Sequence, residues 1–237
     1  MEQHHHQHAH MDHQNHVSKN EVDVSVSNVK NNLSIYIEDK DKRAVKLVKN
    51  HEKLMHLIIV SSDLQEFYHL HPTQVDEKTF HAQIQLKDNK AYQAFVDVMV
   101  EGKSYLIRPI RIANSKENHE DYKSSLELDS SNSKDIQGVN IELESSPFVV
   151  GKKVELNFKI ADRIPDPYLG ALGHVVITNE DVDKFIHVHP KSNSETKFEA
   201  HFEEGGKYKL WAEFKFGNDV IAFPYVFKVE EEANHLH

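Results

Sequence analysis

The segments FYHLHP (residues 67–72) and FIHVHP (residues 185–190) each hold two histidines one residue apart, closed by a proline. A further histidine stands thirteen residues before the first of each pair. His56 thus precedes His69 and His71, and His174 precedes His187 and His189. On a strand, residues i and i+2 project from one face, so each His-x-His pair points in a single direction. The run LMHLIIVSS predicts a preceding strand that returns through a two-residue hairpin centred on Ser62 and Asp63. The matching centre in the second half is Glu180 and Asp181. That symmetry sets His56 opposite His69 and His174 opposite His187, with Cβ atoms about 4.5–5.5 Å apart. Three imidazoles then converge in each half.

Three convergent imidazoles suit zinc, copper(II) or nickel, with water or a carboxylate completing the shell. An acid recurs five residues after a tyrosine in both halves, as Tyr92…Asp97 and Tyr208…Glu213. Asp97 and Glu213 are therefore the expected carboxylates, as ligands or as hydrogen-bond partners of a ligating imidazole. Met55 and Met99 lie near these positions in the first half only and hint at copper(I), although Met is also an ordinary core filler. A lone sandwich histidine is usually no more than hydrogen-bonded, and it is the threefold, twice-repeated pattern that favours metal. His51, His81, His119 and His201 have no repeated partner and read as surface residues. The prolines read as strand ends, since proline cannot donate to a ladder.

The elements that must position these residues are strands. VELNFKIA alternates Val154, Leu156, Phe158 and Ile160 with polar residues, and Tyr208, Leu210, Ala212, Phe214 and Phe216 alternate likewise. The two halves are repeats, since Phe80 and Phe198 also fall eight residues past their prolines. The expected fold is all-β, with two tandem immunoglobulin-like or cupredoxin-like β-sandwiches behind a disordered His-rich tail. The expected boundaries are a tail at 1–20, sandwiches at 21–113 and 138–232, a Ser/Asn-rich linker at 114–137 and a short tail at 233–237.

Composition narrows the function classes. The 237-residue chain has a net charge of −10, which argues against nucleic-acid or anionic-membrane partners. No stretch approaches the roughly 20 apolar residues of a membrane span. The absence of cysteine removes disulfides, thiolate zinc sites and cysteine-ligated blue copper. Seven histidines crowd the first sixteen residues, interrupted by other residues as purification tags usually are not, and read as a native metal-collecting tail. As written, the start shows no export signal, so the location expected is cytoplasmic, or extracytoplasmic for a trimmed mature form.

The segments PYLGALGHVVITNED, FIHVHP and GGKYKLWAEFKFGND resemble a group of bacterial proteins with YLGAxGH, HxHP and GxYxLxxxF motifs on an immunoglobulin-like sandwich. That group is similar to small heavy-metal-binding β-domains of copper-handling systems. The resemblance implies metal handling through His174, His187 and His189, and implies no reaction. The first half departs from it, with LVKNHEKLMH in place of YLGALGH, while keeping His56.

The resulting expectation is a non-enzymatic protein binding a copper or zinc ion for buffering, delivery or resistance, with one three-histidine site per domain. Its expected partners are the metal ion and a metal transporter or metallochaperone. Two alternatives stand beside it. A cupin-like metalloenzyme would use Glu77 and Glu195 after the His-x-His pairs, but lacks the glycine and the later histidine of cupins. A structural or adhesive tandem sandwich would use its histidines only for packing.

Overall fold

The structure, a computed structural model, describes residues 20–112, 125–186 and 188–232, with the backbone alone of His189. The N-terminal tail, His119, His187 and residues 233–237 lie outside the described residues. Among the described residues there is no helix, and so none long and apolar enough to cross a membrane.

The first half runs β1 (Val22–Val29), β2 (Asn32–Asp39), β3 (Leu47–Val48), β4 (His56–Ser61), β5 (Phe67–Leu70), β6 (Thr73–Gln74), β7 (Thr79–Gln83), β8 (Tyr92–Asp97), β9 (Met99–Val100) and β10 (Ile110–Ile112). The second runs β11 (Ser133–Ile136), β12 (Val139–Ser145), β13 (Lys153–Ile160), β14 (Gly173–Asn179), β15 (Phe185–Ile186), β16 (His189–Pro190), β17 (Lys197–His201), β18 (Gly206–Phe216) and β19 (Asp219–Val229). Sheet β1-β2-β7-β6 faces sheet β10-β8-β4-β5, and β11-β12-β13-β17-β16 faces β15-β14-β18-β19. A small pair, β3-β9, completes the first half. Apart from β11, an added edge strand in the second half, the two orders match strand for strand, so the duplication extends to topology. The chain is a tandem of immunoglobulin-like β-sandwiches.

Each sandwich has its own core, built from the expected alternation. Val154, Leu156 and Phe158 of β13 are buried together with Tyr208, Leu210, Ala212 and Phe214 of β18. In the first half Leu33, Ile35, Leu57, Ile59, Phe80 and Tyr92 form the equivalent core. The expected linker ends early, because β11 adds to the sheet of the second sandwich and Leu126 is buried.

A third apolar cluster joins the halves. Ile58, Val60, Leu64 and Phe95 of the first sandwich meet Val176, Val182 and Trp211 of the second. This explains why all six residues of β4 are buried, and nearly all of β14. One face of each strand lines its own core, and the other lines the seam between sandwiches. Phe67 stacks on Trp211 with ring centroids 4.8 Å apart, and Phe185 lies 5.6 Å from Phe95. Phe67 and Phe185 are repeat equivalents, as are Phe95 and Trp211. The sandwiches therefore meet through a pseudo-two-fold relation.

The β4–β5 hairpin differs from expectation. Ile58 pairs with His69 and Leu57 with Leu70, so His56 aligns with His71 rather than with His69. In the second half Ile177 pairs with Ile186, which is the same two-residue shift. The loops are longer because their tips bury an apolar residue in the seam. Leu64 and Val182 sit there with φ of 58° and 54°, bonded through N–H to the Ser61 and Asn179 carbonyls. A shift of two keeps every side chain on its face, so the convergence of the first three histidines survives.

Trp211 is the only tryptophan and sits in the seam, so its fluorescence reports whether the sandwiches are joined. We expect its denaturant transition to coincide with that of far-UV circular dichroism. Trp211→Ala should cost about 3 kcal/mol by cavity formation. Early loss of the fluorescence signal would mean that the seam opens before either sandwich unfolds.

Candidate metal centre at the domain seam

The site starts from two tight turns. Asn50 and Lys53 exchange both backbone hydrogen bonds, with His51 and Glu52 at φ of 47° and 64° between them. Tyr168 and Ala171 do the same around Leu169 and Gly170, at 53° and 81°. Two successive positive φ values define type I′ turns. NHEK and YLGA are thus the same device in different residues. The two turns lie side by side, since a Cβ on Gly170 would stand 3.7 Å from the Glu52 side chain.

Each turn fixes a histidine on the strand that follows. His56 Nε2 donates to the Asn50 carbonyl at 2.9 Å, and His174 Nε2 donates to the Tyr168 carbonyl at 2.9 Å. A carbonyl only accepts, so the proton of each neutral ring lies on Nε2 and the lone pair on Nδ1. Metal-ligating histidines commonly show this arrangement, one nitrogen held by a carbonyl and the other presented to the ion.

His69 is oriented from across the seam. Glu213 lies opposite His174 in the β14–β18 register, yet its carboxylate accepts from His69 Nδ1 at 2.5 Å. The side chains of His69 and Glu213 are only 3% and 9% exposed, so water does not compete for this bond. With Nδ1 donating, the neutral His69 ring turns the Nε2 lone pair towards His56 Nδ1, 3.0 Å away. Two lone pairs at that distance repel unless a cation, a proton or a metal ion, stands between them. The edge of a tetrahedral zinc–imidazole shell is about 3.3 Å, so the spacing is close to that of two ligands on one ion.

His71 completes the group. Its Nε2 is buried without a hydrogen-bond partner, and the donor atoms of His56, His69 and His71 all lie within 4.8 Å of one another. The His69 and His71 rings have centroids 4.7 Å apart, and those of His56 and His71 are 5.0 Å apart. A buried imidazole nitrogen left unpaired is costly, and an ion is one group that satisfies it.

Of the second-half histidine triad, His174 alone has a described side chain. His174 lies with the first-half histidines, its ring centroid 6.2 Å from that of His56 and 5.9 Å from that of His69. Glu213 serves His69, so one carboxylate already belongs to the other sandwich's triad. Among the described residues these side chains gather in one cluster across the seam, while His187 and the His189 side chain lie outside the described residues. Asp97, paired with His56 in register, lines a small cavity with His51, His56, His69 and His174. His189 pairs through its backbone with Glu199 of the opposite sheet, where the chain changes sheets. The prolines stand at this change, Pro72 between β5 and β6 and Pro190 in β16.

Several other expectations are corrected here. His51 is not a surface residue, since its ring packs edge-on against His174 at 5.2 Å. The signal that could have found it is its place at the tip of a turn shared by both repeats. Met55 points into the first core and Met99 is 49% exposed, so neither joins the cluster. Glu77 and Glu195 are exposed, and Glu195 is bound by Lys197 and Ser192, so no cupin-like acid reaches the imidazoles. His81 and His201 are exposed as expected.

The chain belongs to a family described as a domain of unknown function (DUF8832), whose model matches residues 5–111 and 134–231. No curated protein matches it. Among solved structures, a segment of two fibronectin type III domains from chicken tenascin is 13% identical at a TM-score of 0.30. That match covers 89% of this chain and 100% of that one. The FN1–FN3 domains of chicken CNTN1 are 8% identical at a TM-score of 0.25, with 90% and 68% of the chains covered. The BSP domain of a biofilm associated protein is 9% identical at 0.26, with 89% and 29% covered.

Burial sets the charge state of the cluster. It pushes the His71 and His174 imidazoles down to about 3, and lowers His56 as well against the opposing pull of the Asn50 carbonyl. The unfolded chain takes up these protons near pH 6.5, while the folded protein refuses them until far lower. Their contribution to stability is therefore present above about pH 6.5 and lost progressively as pH falls towards 3. We expect the melting temperature of metal-free protein to fall over this window. His71→Leu should flatten the fall by removing one such group, and an unaltered pH profile in that variant would contradict the assignment.

Proposed function

We propose that the protein binds a divalent transition metal, copper(II) or zinc, at the seam between its two sandwiches. The ligands are His56 through Nδ1 and His69 and His71 through Nε2, with the Asn50 carbonyl and the Glu213 carboxylate orienting the first two. The observation that carries this reading is the unpaired, buried His71 Nε2 beside the facing His56 and His69 nitrogens. The chemistry of the set supports it, since an imidazole-only shell suits these ions. The bound ion supplies a charge that holds the three lone pairs together. The role that follows is storage, delivery or resistance, with the histidines of residues 4–16 collecting the ion in weak and variable chelates.

A second reading is favoured by the apolar seam itself. The cluster borders a continuous core that joins the sandwiches, and there buried imidazoles can serve packing alone, with a proton shared between His56 and His69. The chain would then be a structural tandem of β-sandwiches.

Calorimetric titration separates the two. The full chain, with the seven histidines of residues 4–16 and the two of residues 235–237 changed to Gln, removes the tail's contribution. We expect copper(II) and zinc to bind it in the micromolar range or tighter. His71→Ala should weaken binding at least tenfold, and Glu213→Gln by about 10-fold or more through loss of orientation at His69. Binding no tighter than millimolar for both ions would leave the structural reading standing.

A further inference from the structure

We propose that an ion in the triad latches the two sandwiches together through the His69–Glu213 bond, with Lys209 and Trp211 as positioning residues for that bond; this rests on the metal-binding reading above. His56, His69 and His71 all belong to the first sandwich, while Glu213 lies on β18 of the second. The bond from His69 Nδ1 to Glu213 therefore ties the ligand set of one sandwich to the other.

An imidazole coordinated through Nε2 gives electron density to the ion, and its Nδ1–H becomes a stronger donor. The accepting carboxylate is charged, so the bond then gains from charge at both ends. Both side chains are shielded from water, which leaves that gain undiluted. Occupancy of the triad thus tightens a bond across the seam. The joined seam in turn holds His69 in the tautomer that can coordinate. Such coupling is reciprocal: what the ion adds to docking, docking adds to affinity for the ion.

The bond does not stand alone. On β18, Lys209, Trp211 and Glu213 alternate with the core residues Leu210, Ala212 and Phe214, so the three share the outward face. Across the seam they meet Leu64, Phe67 and His69 in turn. Lys209 Nζ donates to the Leu64 carbonyl at 2.7 Å, and Trp211 stacks on Phe67 at 4.8 Å. The same Nζ lies 5.3 Å from the centre of the Trp211 ring. Three successive contacts run in one line, and the last of them reaches the triad. Neither Lys209 nor Trp211 is a ligand; both fix the approach of Glu213 to His69.

The test is zinc titration by calorimetry of the full chain with its terminal histidines changed to Gln. We expect Trp211→Ala to weaken zinc binding about fivefold or more, although it removes no ligand. In the Glu213→Gln background the same substitution should weaken binding by about twofold or less, because the path to His69 is already cut. Should Trp211→Ala not fold, Lys209→Met keeps the aromatic stack and carries the same comparison with the same expected direction. Zinc should also slow amide hydrogen exchange in β14 and β18, which carry none of the three ligands, and Glu213→Gln should remove that protection. A folded seam variant that binds zinc as tightly as the unchanged seam overturns the latch and spares the triad. So does equal weakening by Trp211→Ala or Lys209→Met in both backgrounds, or protection confined to the first sandwich. Absence of zinc and copper(II) binding by the unchanged seam overturns the metal-binding reading and the latch together.

Discussion

The structure depends on the burial of β4 and β14 from both sides. Each strand sits in the middle of its sheet and gives one face to its own sandwich. The other face carries Ile58 and Val60 in the first half and Val176 in the second, and these must also leave water. Packing the two outward faces together meets that demand, and the histidines lie at the end of the same faces. Exclusion of water from the seam is then what keeps His71 and His174 neutral and their lone pairs available. Packing and chemistry therefore share one cause.

Much of this was legible in the sequence. Alternation in VELNFKIA and in the strand around Leu210 gave the sandwiches, and the spacing of His56, His69 and His71 gave the triad. The hairpin register was off by two residues because Leu64 and Val182 read as ordinary strand residues, whereas each turns the chain in the seam. The seam itself left a trace that went unread. LMHLIIVSS and GHVVITN are nearly continuous apolar runs, and continuity in place of alternation is the mark of a strand covered on both faces. Glu213 was recognisable as a partner to an imidazole, but its reach across to His69 depends on how two whole sheets meet. No spacing along the chain encodes that distance.

The repeats have kept their frame and changed their contents. The turn that anchors His56 and the turn that anchors His174 use the same backbone bonds and the same carbonyl, six residues before the ring in both. Within that frame His51 stands where the other half has Leu169, and Glu52 where it has Gly170. The acids differ as well, Asp97 against the longer Glu213, and it is Glu213 that spans the seam. Backbone geometry is thus the shared part, while side-chain length and type make the two sides of the cluster unequal.

The crossed aromatic pairs, Phe67 with Trp211 and Phe95 with Phe185, carry a consequence for the origin of the chain. Each pair joins one kind of position to the other kind, so the contact has the self-complementary form of an isologous homodimer. A free single sandwich of this design would cover its outward face by associating with a second copy. Joining two copies in one polypeptide makes that association independent of concentration. It also frees the halves from having to be identical, which a homodimer can never escape.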